Sequence, residues 1–205
     1  MSASCCAHSP PAPDPSFRRA LWIALAINLV MFFAEAAASW TSGSVSLLAD
    51  AIDFFGDAAN YGLSLAVLAM AARIRSQAAL VKAACMAGFG IFVLARAAWA
   101  LQSGTPPEPV TMGVVASVAL VANVGVALLL FRYRGGDANM RSVWICSRND
   151  AFGNLAVGAA ALGVFGTNAV WPDLLVATLM AVLAITGAAT VLRHARLELR
   201  NSAAQ

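Results

Sequence analysis

The chain has 205 residues, of which 60% are hydrophobic and only 11% charged, and its mean hydropathy is +0.76. Soluble domains carry roughly a quarter charged residues, so this balance excludes an ordinary water-soluble fold. The net charge of +3 says little by itself, because in an apolar chain the placement of Lys and Arg matters more than their sum, and no nucleic-acid partner is expected.

Residues 1–17 read as a disordered tail, polar and rich in proline between Ser9 and Pro15. They do not read as a secretory signal, since the apolar stretch after Arg18 and Arg19 is too long for one. Cys5, Cys6 and His8 fall in this tail and read as ordinary tail residues rather than a metal-capturing motif. With Cys85 and Cys146 they make no disulfide framework and no paired CxxC spacing.

Apolar segments then follow at 18–40, 45–72, 79–101, 109–132, 142–166 and 171–193. A spanning helix needs about 20 apolar residues, so each is long enough to cross a bilayer. The breaks are short and rich in turn formers: Thr41-Ser42-Gly43, Gly104-Thr105-Pro106-Pro107, Gly135-Gly136-Asp137 and Gly166-Thr167-Asn168. The expected fold is all-α, a polytopic membrane protein with six transmembrane helices over 18–200 and a short C-terminal tail at 201–205. Lipid is then its surrounding partner.

The basic residues set the expected orientation. With both termini cytoplasmic, Arg18, Arg19, Arg73, Arg75, Lys82, Arg132, Arg134, Arg141, Arg148, Arg193, Arg196 and Arg200 fall on the inner side, and only Arg96 on the outer. That asymmetry follows the positive-inside rule and requires an even number of spans. The expected location is the cell membrane, or the inner membrane of a Gram-negative bacterium.

Acidic residues inside a spanning helix are costly, about 2.5–3.5 kcal/mol for Asp at the helix centre on insertion scales. Here they cluster. In the second segment Asp53 and Asp57 stand at i, i+4, so both carboxylates share one helix face, with Asp50 a turn earlier on nearly the same face. Such a pair repels itself unless a cation or a proton sits between. In the fifth segment Cys146 and Asp150 repeat the spacing. Two helices with two ligands each supply four donors, the number a tetrahedral Zn²⁺ takes. Alternative structural roles stand beside these: a lone intramembrane Asp paired with Arg148 or set near a helix end in water, Asp50 as an orienting residue, and Cys146 as a small buried hydrophobe. Asn28 and Glu35 share a face of the first helix, and Glu35 reads equally as a proton handler or a paired charge. Asn123 and Asn154 are quieter polar positions. Asp173, beside Pro172, reads as a helix-dipole partner with no further role.

These residues resemble the cation diffusion facilitator family of metal–proton antiporters. The likeness covers residues 18–200. It rests on Asn28 and Glu35, on Ser44-Val45-Ser46-Leu47-Leu48-Ala49-Asp50-Ala51 leading to Asp53-Phe54-Phe55-Gly56-Asp57, on Asp150-Ala151-Phe152-Gly153-Asn154, and on Trp171-Pro172-Asp173. The resemblance implies a metal site formed by Asp53, Asp57 and Asp150, with Cys146 where the family usually has histidine. It implies a homodimer and a secondary-active transporter rather than an enzyme, with no cofactor. Zn²⁺ or a related ion (Cd²⁺, Co²⁺) is the expected substrate, exported in exchange for protons. With about a dozen residues after the sixth segment, the cytoplasmic metal-binding domain that family members usually carry is not expected here. A thiolate in place of imidazole favours thiophilic ions over Mg²⁺ or Ca²⁺.

Two rival readings remain at this stage. One is a non-transporting membrane metal sensor or accessory subunit. The other is an intramembrane aspartyl protease with Asp57 and Asp150 as its dyad, a reading that leaves Asp53 and Cys146 without a purpose.

Overall fold

The computed structural model describes residues 15–67, 72–134 and 138–203. Among them the chain forms helices and no strand: α1 (Pro15–Ser42), α2 (Val45–Val67), α3 (Ala72–Ser103), α4 (Pro109–Phe131), α5 (Ala138–Thr167) and α6 (Trp171–Ala203). The Gly135–Asp137 turn and the Cys5, Cys6 and His8 tail lie outside the described residues.

Helix ends follow local chemistry. Gly43 (φ 74°) and Gly104 (φ 63°) take the left-handed conformation after α1 and α3, and their amides donate to Ser39 and Ala100 carbonyls at 2.9 and 3.1 Å. After α5 that position belongs to Asn168 (φ 48°), while Gly166 stays helical. Glu108 caps α4: its carboxylate accepts from the amides of Val110 (2.9 Å) and Thr111 (2.6 Å), with Pro109 in the first turn.

The apolar segments and helices differ at the ends. Residues 15–17, assigned above to the disordered tail, open α1. Phe17 is buried and meets Tyr133 edge-on at 5.0 Å between ring centres, and the Tyr133 hydroxyl donates to Ser16 Oγ at 2.9 Å. At the other end α6 continues to Ala203, into the expected C-terminal tail.

One sequence reading is corrected. Asp173 does more than complement the dipole of its own helix. It is fully buried, and its carboxylate accepts from Ser44 Oγ (2.7 Å), Val45 N (2.8 Å), Ser46 N (3.1 Å) and Ser46 Oγ (2.6 Å). The start of α6 therefore caps the start of α2. The first amides of a helix have no partner of their own; here Leu47 N donates to Ser44 Oγ at 3.1 Å, and Val45 N and Ser46 N are satisfied by the distant Asp173.

The tightest helix pairs are α1 with α2, α4 with α5, and α3 with α6. Contacts of α1 with α4, and of α2 with α3, α5 and α6, join these pairs into one bundle with α2 at its centre. Leu47, Met112, Val157, Val164 and Val176 form a core shared by α2, α4, α5 and α6. At the opposite end Leu21, Tyr61, Val126 and Leu130 join α1, α2 and α4. Close approach of α3 and α6 depends on Gly90, where an added Cβ would lie 3.1 Å from the Ala181 carbonyl oxygen and 2.7 Å from Ile185.

Polarity is inverted relative to a water-soluble protein. Glu35, Asp50, Asn28, Asn123, Asn154 and Asp173 are buried, while Trp40, Phe33, Val121, Leu162 and Phe165 are exposed. Apolar surface on this scale needs an apolar solvent. Among the described residues four helices are long and apolar enough to cross a membrane: Pro15–Ser42, Ala83–Ser103, Pro109–Phe131 and Trp171–Ala189. Every 18-residue stretch of α2 contains Asp50, Asp53 and Asp57, which removes it from that set by composition. In α5, whose side chains are described from Asp150 on, Asp150, Asn154 and several glycines lower the hydropathy instead.

Two outcomes are expected. Asp173→Ala strands the first amides of α2 and destabilises the protein by about 2–3 kcal/mol; an unchanged unfolding midpoint in detergent would show that α2 finds another cap. The bonds from Thr111 and Val110 hold the Glu108 carboxyl below its ordinary value of 4.5. Its stabilisation of the first turn is thus complete above that value and lost as pH falls through the lower folded-state value. Corrected exchange protection of the Val110 and Thr111 amides should drop on acidification in the wild type and show no such pH dependence in Glu108→Gln.

Candidate functional site

The centre of the bundle is where α2 meets α5, with α3 and α6 alongside. Asp53 of α2 and Asp150 of α5 line one cavity of about 440 Å³ there. Gly56 and Gly153 also line it, and the thioethers of Met86 (α3) and Met180 (α6) form part of its wall. Asp53 is exposed toward this space and Asp150 is half-buried.

Asp57 lies one turn farther along α2 and is half-buried. It accepts a hydrogen bond from the Tyr61 hydroxyl at 3.2 Å. Tyr61 is fully buried in the core that includes Leu21, Val126 and Leu130, so its ring is fixed and its hydroxyl holds Asp57 in place. Sequence reasoning passed over Tyr61. The signal was present in the i, i+4 spacing from Asp57, the same spacing that singled out Asp53.

Cys146 lies on the α5 backbone one turn before Asp150, and its side chain, like that of Arg148, is outside the described residues. Among the described residues, no three of His, Cys, Asp or Glu come together closely enough to hold a metal ion. Asp53 and Asp150 thus share the cavity, and Asp57 sits one helical turn away.

Asp50 does not share the setting of Asp53. It is 1% exposed and interacts with Glu35 of α1, itself 0% exposed. Asn28 of α1, Asn123 of α4 and Asn154 of α5 are buried as well. The Asn28 amide donates to the Ala24 carbonyl at 2.8 Å, while its Oδ1, the Oδ1 of Asn123 and both amide atoms of Asn154 have no hydrogen-bond partner.

The model of the cation efflux transmembrane domain matches residues 21–200. No curated protein matches the chain.

Tyr61→Phe keeps the ring in the core and removes only the donor to Asp57. It should cost about 1 kcal/mol of stability. An unfolding midpoint equal to that of the wild type would mean that Asp57 does not depend on this hydroxyl.

Proposed function

Because the chain belongs to the cation efflux, or cation diffusion facilitator, family, and is thus a metal cation transporter, we propose that it exports a thiophilic divalent ion such as Zn²⁺, Cd²⁺ or Co²⁺ in exchange for protons. The observation that carries this reading is the cavity at the centre of the bundle, walled by carboxylates from two different helices, Asp53 and Asp150.

In the proposed arrangement the chain crosses the cell membrane six times with both termini in the cytoplasm. α2 and α5 are carried across by their apolar neighbours. The metal is held by Asp53, Asp57, Asp150 and Cys146. Anionic oxygen and sulfur ligands bind a metal by giving up protons, so arrival of the ion releases protons and reprotonation releases the ion. Opening the cavity first to one side and then to the other turns that exchange into transport. Asp57, steadied by Tyr61, closes on the ion from one turn below Asp53. Cys146 softens the donor set, and the Met86 and Met180 thioethers on the cavity wall suit a polarizable ion better than Mg²⁺ or Ca²⁺. A homodimer of this chain would be held through its membrane helices.

The test is metal uptake into proteoliposomes under an imposed pH gradient, with Zn²⁺, Cd²⁺ and Co²⁺ compared. Gradient-driven flux should fall at least ~10-fold in Asp53→Ala and Asp57→Ala, and Cys146→His should shift preference away from Cd²⁺. Wild-type flux in Asp53→Ala overturns the ligand assignment. Metal bound without flux in the unmodified protein would identify a sensor or an accessory subunit instead.

A further inference from the structure

Glu35 lies deep in α1, and the proposed metal ligands leave it without a function. It is 0% exposed, and neither carboxylate oxygen has a hydrogen-bond partner. Asp50 is 1% exposed, and its Oδ2 likewise has none. The two side chains come from different helices and interact with each other.

The surrounding groups offer no counter-charge among the described residues. The charged groups that act on Glu35 are Asp50 and, beyond it, Asp53. α4, the other helix packed on α1, has no titratable residue between Pro109 and Phe131. Around α2, Asp173 of α6 is committed to the Ser44–Ser46 cap, and Asp150 of α5 faces the cavity. Asp57 is bonded to Tyr61, Cys85 and Arg96 of α3 are exposed, and so are Arg18 and Arg19 of α1 and Arg193 of α6.

Two carboxylates removed from water, interacting with each other and with no cation beside them among the described residues, cannot both carry charge at reasonable cost. A divalent metal is a poor occupant, because no third His, Cys, Asp or Glu among the described residues completes a ligand set and such ions take four or more donors. A proton needs only the two oxygens.

We infer that Glu35 and Asp50 form a proton-holding pair in which one proton is shared between the two carboxylates, given up when a cation occupies the cavity at Asp53 and regained when it leaves. Only an O–H bond breaks: the pair loses H⁺ to water and remains as two carboxylates. The trigger is electrostatic. Asp50 stands one turn before Asp53, so a doubly charged ion there stabilises the second negative charge of the pair. The coupling to metal rests on the transport reading above; the shared proton does not.

The experiment uses the full chain in lipid nanodiscs. Without metal, the infrared difference spectrum between acidic and alkaline pH should contain the carbonyl stretch of a buried carboxylic acid. That band should shift in Glu35→Gln and in Asp50→Asn, be lost when both are made together, and persist in Glu35→Asp, which keeps an acid. The absence of such a band in the wild type, or an unchanged band in the double variant, overturns the pair. With Zn²⁺ added in weakly buffered solution, the double variant should release about one proton fewer per metal bound. A lost band with unchanged proton release overturns the coupling. If the wild type binds none of Zn²⁺, Cd²⁺ or Co²⁺, the transport reading fails while the infrared measurement still decides whether the pair holds a proton.

Discussion

One carboxylate organises the bundle. Asp173 receives hydrogen bonds from Ser44 Oγ, Val45 N, Ser46 N and Ser46 Oγ, and so ties the first turn of α6 to the first turn of α2. An isolated α2 would leave those amides bare in an environment with no water to replace the partner. Fixing the end of α2 fixes the level and rotation of Asp50, Asp53 and Asp57 along it. The same joint brings α6 alongside, so that Met180 and Leu183 complete the cavity wall opposite Asp53. The polar interior is arranged from this end of the bundle downward.

From that end the buried polar groups follow the axis of α2: the Ser44 and Ser46 hydroxyls on Asp173, then Asp50 with Glu35, then Asp53 at the cavity, then Asp57 with Tyr61. Both ends of this column are held by hydrogen bonds to fully buried residues. Between those ends Glu35 and Asp50 retain unpartnered oxygen atoms. Unsatisfied groups of this kind are destabilising.

The elements of the fold were largely readable in the chain, because apolar length, Gly43, Gly104 and the Glu108-Pro109 start are local signals. The helix ends at Pro15 and Ala203 were not, since they depend on tertiary contacts or on continuation past the apolar run. Asp53, Asp57 and Asp150 stood out because a charge in an apolar segment needs a reason. The link between Ser44 and Asp173 spans 129 positions, and no periodicity connects them. Asp50 illustrates a subtler difficulty: i, i+3 spacing puts it near the face of Asp53, yet packing against α1 gives it Glu35 as its neighbour. Its environment is a property of two helices, and the spacing describes only one.

The order of the helices along the chain matters for how the protein enters a bilayer. α2 carries Asp50, Asp53 and Asp57 and α5 carries Asp150, and among the described residues neither helix offers a stretch long and apolar enough to count as a membrane span. Three aspartates in α2 oppose insertion by roughly 8–10 kcal/mol on biological insertion scales. Each of these helices is preceded in the chain by its tightest partner, α1 before α2 and α4 before α5, and both partners are apolar enough to cross. During synthesis the ribosome therefore delivers a lipid-soluble helix first and its polar companion second. The polar helix can then leave the translocation channel against a protein face instead of bare acyl chains, as the second arm of a hairpin.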